Sequence, residues 1–552
     1  MSSSLSDRVL LPTNVKPVSY DITLTPDLVN FKFDGVCCID IIVSSGTNSI
    51  TMHSNQLDIQ NVQFGDAKAV VTYDEKLSRC IFTFDKELPL GPSTTPLVIN
   101  YKGILNSDMA GFYRSKYTDH CGKEQYMAST QFEALDARRA FPCWDEPAVK
   151  AIFTISMIVP EDLTAVANMP ETRCSLLPNN LKKITFEKTP IMSSYLVAFA
   201  VGRFDYLQSK TKNGVMFRVY CQPGKVEFAK FALETGVRCL QFLDDYFEIP
   251  YPLPKCDMMS ITEFAAGAME NWGLITYRES AILIDTDNAE VSMKQRVAMV
   301  VCHELAHQWF GNLVTMNWWC DLWLNEGFAN FMQHFVTDAL FPEWKIWENY
   351  AADSIGVAFR LDSLRSSHPI QVPIVHAEEV EEVFDGISYC KGSAVINMIN
   401  KVLGPENFRK GLQLYFKRHA YQNTETVDLW YVLIVYPTFR KLHFHLSYTI
   451  LTRSAWSDAS GVDVGGLMDS WTSKMGHPYL YIINEAWNES AGNVTLTFEQ
   501  RWMLSDGSGA TEDAIWNIPL VEATNAKATP GDITFAKERQ FTKSFDVSST
   551  GW

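Results

Sequence analysis

The sequence predicts a multidomain α+β chain: an N-terminal β saddle, a mainly helical middle and a small C-terminal β-sandwich. Three observations predict it. A length of 552 residues exceeds what a single hydrophobic core holds. Polar–apolar alternation in short runs fills the first part, and apolar spacing of helical period replaces it after about residue 226. Alternation then returns from Pro478 onward.

The elements follow in order. In the first domain, 1–206, runs such as Tyr20-Asp21-Ile22-Thr23-Leu24-Thr25 and Lys183-Ile184-Thr185-Phe186-Glu187 have period two, and Pro26-Asp27 and Asp34-Gly35 break them as turns. The pattern changes at Val201-Gly202-Arg203-Phe204. Over 226–246, Phe228, Phe231, Ala232, Cys239, Phe242 and Tyr246 fall near one side of a helix. Helical stretches dominate the second domain, 207–475. The third, 476–552, alternates again, as in Asn493-Val494-Thr495-Leu496-Thr497-Phe498. Residues 431–456 do not fit their surroundings, having no acidic residue in an acidic chain, and are read as an insertion or as translated non-coding sequence. Pro437 and the adjacent cations Arg440 and Lys441 argue against a membrane segment there. His443 and His445 in this stretch are weighed as a metal pair and set aside.

Bulk properties exclude several functions. Lys and Arg total 47 against 64 Asp and Glu, a net charge of −17. That balance argues against nucleic acid or anionic membrane as partner. It favours cationic ligands, free amino termini included, although solubility alone explains such a charge. Twelve cysteines, with no C-x-x-C pair and none after Cys390, suit a reducing compartment, so a cytoplasmic location is expected. Met1 to Arg8 carries no apolar core of a signal peptide. No run of about 18 apolar residues predicts a membrane span. Oligomeric state is left open.

The chemistry concentrates in His303-Glu304-Leu305-Ala306-His307 and in Glu326. Helical residues four apart stack on one face, so His303 and His307 reach one metal, and Glu304 beside them reaches a water on it. Glu326, in an apolar-rich helix expected over 321–340, is the candidate third ligand. Two histidines and a carboxylate leave a fourth position open, as catalytic zinc requires. The plain alternative is a buried helix with two satisfied histidines. Cys302 points away from His303, and it and Cys320 are read as core residues. Asn330, one turn beyond Glu326, is a candidate partner for a ligand histidine or an ordinary surface asparagine.

A hydrolytic site also needs an oxyanion donor and a substrate anchor. Tyr389, at the start of a predicted helix in Ser388-Tyr389-Cys390-Lys391-Gly392, suits the first role, though spacing alone makes it one of 21 tyrosines. Gly267-Ala268-Met269-Glu270-Asn271 suits the second. Its small residues admit another backbone, and Glu270 can pair with an ammonium. The acidic run Glu378-Glu379-Val380-Glu381-Glu382 is read as a solvated face.

Together these segments resemble the gluzincin zinc aminopeptidases, nearest to the puromycin-sensitive and cytosolic alanyl types, over roughly 1–430 and 457–552. The exopeptidase motif stands as Gly267, Ala268, Met269, Glu270 and Asn271. The zinc motif stands as His303, His307 and, after eighteen intervening residues, Glu326. The resemblance implies a thermolysin-like catalytic domain, one Zn2+ per chain, Glu304 as base and Tyr389 as oxyanion stabiliser. From Thr130-Gln131-Phe132-Glu133-Ala134 it implies that Glu133 joins Glu270 on the substrate ammonium and that Gln131 lines the first specificity pocket. The expected activity is removal of N-terminal residues, neutral or basic, from peptides with a free amino terminus. Two departures stand beside it: the 431–456 segment, and an end at Trp552 where the family continues into a helical domain that caps the site, so that exposed apolar surface is expected. They support a rival expectation, a truncated product that binds zinc and peptides without efficient turnover. An endopeptidase is disfavoured by the exopeptidase motif, and an epoxide hydrolase by Ala268.

Overall fold

Period-two segments pair into the N-terminal sheets. The computed structural model describes residues 8–546 apart from 120, 431, 437–448, 454–456, 458–459, 461–462, 489, 491, 509–513 and 523–532. Val15–Asp27 turns Tyr20, Ile22 and Leu24 inward. It lies inside a nine-stranded sheet, antiparallel to Lys32–Val43 and parallel to Ile152–Pro160. A four-stranded sheet runs Gly111–Thr118, Glu124–Gln131, Phe199–Gly202, Thr164–Ala167, and delivers Gln131 at a strand end.

The mainly helical region begins on a five-stranded sheet in the order Asp205–Lys210, Met216–Cys221, Lys255–Ile261, Leu274–Arg278, Ala268–Met269. Its inner pairings are parallel. The crossover between Met216–Cys221 and Lys255–Ile261 contains the helix Lys230–Phe247. Every residue of Lys255–Ile261 is buried, as expected of a strand covered on both faces. The helix buries Ala232, Leu233, Gly236, Cys239, Leu240, Leu243 and Phe247. The stripe read from sequence is therefore displaced. Phe228 precedes the helix and is 41% exposed, while Phe242 and Tyr246 stack on each other at the margin of the core.

Two helices carry the candidate ligands, Val291–Ala306 and Trp323–Leu340. The second buries nearly its whole first three turns, so its apolar residues go round the helix and do not form a stripe. Helix Thr426–Trp430 leads into an antiparallel hairpin of Val432–Tyr436 with Thr449–Arg453. Pro437, Arg440, Lys441, His443 and His445 lie outside the described residues, as do residues 1–7 and 547–552. After the helix Val464–Thr472 come a three-stranded sheet (Pro478–Asn488, Asn493–Trp502, Gln540–Asp546) and a two-stranded one (Ile518–Leu520, Thr534–Ala536). They share a small core of Trp502, Leu504 and Trp516. Tyr481, Ile482, Ile483 and Trp487 on the first strand are exposed. All twelve cysteines are free, and Cys302 is fully buried. Among the described residues no helix is long and apolar enough to cross a membrane.

Candidate functional site

The two ligand helices pack side by side and aim three electron-pair donors at one point. His303 Nε2 and His307 Nε2 are 3.1 Å apart, and Glu326 Oε2 stands 3.3 and 3.4 Å from them. His307 Nδ1 lies 2.9 Å from the Phe310 carbonyl, which can only accept, so the ring proton sits there and Nε2 presents a lone pair. His303 Nδ1 lies 3.0 Å from Gln333 Oε1, with the same consequence. Two imidazole lone pairs and a carboxylate oxygen facing one another repel unless a proton or a metal ion joins them. A tetrahedral ion with bonds of about 2.0–2.1 Å has ligand–ligand edges of about 3.3 Å, which the three separations match. The donor set therefore fits zinc, with His303, His307 and Glu326 as ligands. A second possible grouping, Glu270, Glu304 and His307, lacks a free nitrogen, because His307 commits Nδ1 to Phe310 and Nε2 to the first set.

Charge at this point is divided unequally. Burial works against ionisation of Glu326, yet the His307 and His303 imidazoles hold its carboxyl down, to about 2. Burial pushes Glu304 well above the usual carboxylate range, and the Glu270 and Glu326 carboxylates add to this against His307. Glu133 is raised by burial and then by Glu270 and Glu326, and Glu270 is raised by burial. Burial and the Glu326 carboxylate keep the Tyr389 phenol protonated.

A cavity of about 270 Å³ opens on this cluster, lined by Gln131, Glu133, Ala268, Met269, Glu270, His303, Glu304, His307, Glu326 and Tyr389. Ala266, Glu381 and Phe384 complete its wall. Ten of the twelve residues singled out from sequence thus meet at one place. Gly267 and Asn271 do not line it. A side chain at Gly267 would meet open space, and Asn271 is buried with its amide on Thr276. Ala268–Met269 is the edge strand of its sheet. Ala268 pairs inward with Tyr277 and Met269 with Thr276, which leaves the outer edge unpaired within that sheet. Gln131 Oε1, Glu133 Oε1 and Glu270 Oε1 are buried without a hydrogen-bond partner. Tyr389 sits in a π-helical turn, Ile387–Lys391, that runs into the helix Gly392–Leu403, and its ring lies parallel to His303 at 6.1 Å.

Two sequence expectations change. Asn330 does not orient a ligand histidine; Gln333, two turns beyond Glu326, does. Both lie on the Glu326 face, so spacing alone could not choose between them. The four glutamates of 378–382 are exposed as expected while Val380 between them is buried, and Glu381 also reaches the cavity wall from the 3-10 helix Ala377–Val383. Sequence reasoning missed Gln308 and Asn312, whose amides donate to the Glu270 carbonyl at 3.2 and 2.9 Å and so hold that carboxylate's backbone.

The chain matches the Peptidase family M1 domain over residues 231–471 and the Peptidase M1 N-terminal domain over 16–196. It is 44% identical to Aminopeptidase M1 of Arabidopsis thaliana, over 92% of this chain and 55% of that protein. It is 42% identical to Puromycin-sensitive aminopeptidase of Caenorhabditis elegans, over 96% and 54%. It is 43% identical to Alanine/arginine aminopeptidase of Saccharomyces cerevisiae, over 94% and 57%. The chain thus spans about half the length of the curated relatives it matches.

Proposed function

We propose, from the premise that the chain belongs to the M1 peptidase family, that it is a zinc-dependent aminopeptidase removing the N-terminal residue from peptides. One observation carries the reading: three lone-pair donors at tetrahedral spacing, beside two unpartnered carboxylate oxygens, Glu133 Oε1 and Glu270 Oε1, in one cavity. A zinc ion held by His303, His307 and Glu326 supplies Lewis acidity toward a carbonyl and lowers the pKa of a water. Glu133 and Glu270 grip the substrate ammonium, and the unpaired edge of Ala268–Met269 accepts its backbone, which positions the first peptide bond. Glu304, buried and raised, takes the water's proton and returns it to the leaving nitrogen. Tyr389 donates its hydroxyl hydrogen bond to the developing oxyanion. Glu381 at the wall favours neutral or basic N-terminal side chains over acidic ones. Twelve free cysteines, seven of them buried, suit a reducing compartment and support action in the cytoplasm.

Zinc analysis of purified protein, with turnover of an alanyl chromogenic amide, tests this reading. One zinc per chain with turnover supports it, and a folded protein without stoichiometric zinc overturns it. Exposed Tyr481, Ile482, Ile483 and Trp487 favour the second reading, a product that binds zinc and peptide without efficient turnover. Full zinc occupancy with no turnover would select that one.

A further inference from the structure

Tyr389 is held from two sides. In front, its turn crosses the Glu326 helix at two glycines. A Cβ on Gly392 would stand 3.2 Å from Gly327 Cα, and one on Gly327 would stand 3.3 Å from the Ser388 carbonyl. Behind, Lys391 follows Tyr389 by two residues and therefore points to the opposite side of the turn. Its ammonium is 4% exposed as a residue and lies 2.9 Å from Asp362 Oδ2. It also donates to the carbonyls of Gly476 at 3.0 Å and Lys474 at 3.3 Å, so all three protons are used. Asp362, 1% exposed, accepts in addition from Ser367 Oγ at 2.9 Å and from the Gly476 N–H at 2.8 Å, and its Oδ2 lies 3.4 Å from His477 Nδ1.

We propose that Lys391 and Asp362 are positioning residues for Tyr389: a buried ionic strut that fixes the phenol over the cavity and ties it to the chain at 474–477, where the helical region passes into the C-terminal strands. The inference rests on the aminopeptidase reading for its kinetic consequence only. Satisfied buried ion pairs contribute little to net stability compared with apolar isosteres, so the pair's effect lies in geometry. The turn is seated in the core at Ile387. It has one charge with three fixed acceptors, two of them carbonyls 83 and 85 residues away in sequence. Moving that charge moves the donor that meets the oxyanion, and misplacement of a reacting group by an ångström slows catalysis.

The test compares Lys391→Met with the double variant Lys391→Met/Asp362→Asn, which removes both charges and keeps an amide oxygen for Ser367 Oγ and the Gly476 N–H, each in wild-type and Tyr389→Phe backgrounds. Zinc content, kcat and KM on an alanyl amide, and hydrogen exchange over 387–391 are measured. The strut predicts normal zinc, KM within about twofold, kcat reduced about tenfold to a hundredfold, and faster exchange at 387–391. In the Tyr389→Phe background it predicts no further fall in kcat, because the strut acts through that hydroxyl. An unchanged kcat in the double variant, or the same fall with and without the hydroxyl, overturns the proposal. Should the unmodified chain show no turnover, the aminopeptidase reading fails instead. The exchange measurement then still decides the strut, which is overturned if 387–391 exchanges as in the parent.

Discussion

Replacing Glu270 by Gln changes one atom and removes one charge from the amine site. In the structure Glu270 is 3% exposed, its Oε1 accepts no hydrogen bond and lies 3.9 Å from His307 Nδ1, and Glu133 Oε1 in the same cavity likewise accepts no hydrogen bond. A hydrogen bond to a charged group is worth about 1.5–3 kcal/mol. Two such bonds to a substrate ammonium give about 3–6 kcal/mol, so a free-amine peptide should exceed its N-acetylated twin by about 10²–10⁴ in kcat/KM, at about 1.4 kcal/mol per tenfold. Glu270→Gln forfeits one bond and should shrink that ratio by about ten- to a hundredfold, chiefly through the free-amine substrate. The assay is kcat/KM for an alanyl amide and its acetylated form, on parent and variant at matched zinc content. Equal cleavage of both substrates by the parent, or an unchanged ratio in the variant, would refute the anchoring argument.

Other perturbations have equally definite outcomes. Glu304→Gln leaves the three ligand atoms in place, so zinc content should stay near one per chain while kcat falls about 10²–10⁴-fold, read by metal analysis beside steady-state kinetics. Glu326→Ala removes the only carboxylate among the three donors and leaves two converging lone pairs, so zinc should be lost in dialysis, and the melting temperature should no longer respond to added zinc. The His368–Asp385 pair, 3.0 Å apart beside the Tyr389 turn, gives a pH signature. Burial opposes the His368 charge, but Asp385 raises its pKa overall, so its stabilisation is present below about pH 6.5 and lost as pH rises through the folded-state value. Asp385 is held low, so its share disappears only in acid. The difference in thermal stability between parent and His368→Gln, about 0.5–1 kcal/mol for such a half-buried pair, should therefore be larger at pH 6 than at pH 8. A difference that grows toward pH 8 would contradict the assignment.

What was legible in the sequence was whatever a local period enforces. His303 and His307 converge because four residues of helix leave them no other course, and Tyr20, Ile22 and Leu24 face inward because a strand alternates. What was not legible depends on partners distant in sequence, or on backbone groups that every residue shares. The Phe310 carbonyl that fixes the His307 tautomer has no residue signature, and Gln333 differs from Asn330 only in which side chain reaches His303 Nδ1. Lys391 meets Asp362 across 29 residues and Gly476 across 85, and no spacing rule predicts either contact. The parallel pairing of Val15–Asp27 with Ile152–Pro160 likewise closes a loop of more than a hundred residues, so the alternation read at Tyr20–Thr25 could not name its partner.

On the proposed reading, the electrostatics of the cavity suit the four glutamates to different tasks. Identical carboxyls crowded together cannot all ionise, because each buried charge raises its neighbours. Of the four, Glu326 lies between two imidazoles and is held low, whereas the other three are raised by burial. Glu133 and Glu270 are biased toward the neutral form and gain most from an arriving ammonium, which makes a cationic chain end the ligand that relieves the strain of their burial. Glu304 faces the same crowding with His307 as its counterweight, and burial raises its proton affinity. On the proposed reading, the division of labour among anchor, ligand and base would follow from how each carboxylate stands to His303 and His307.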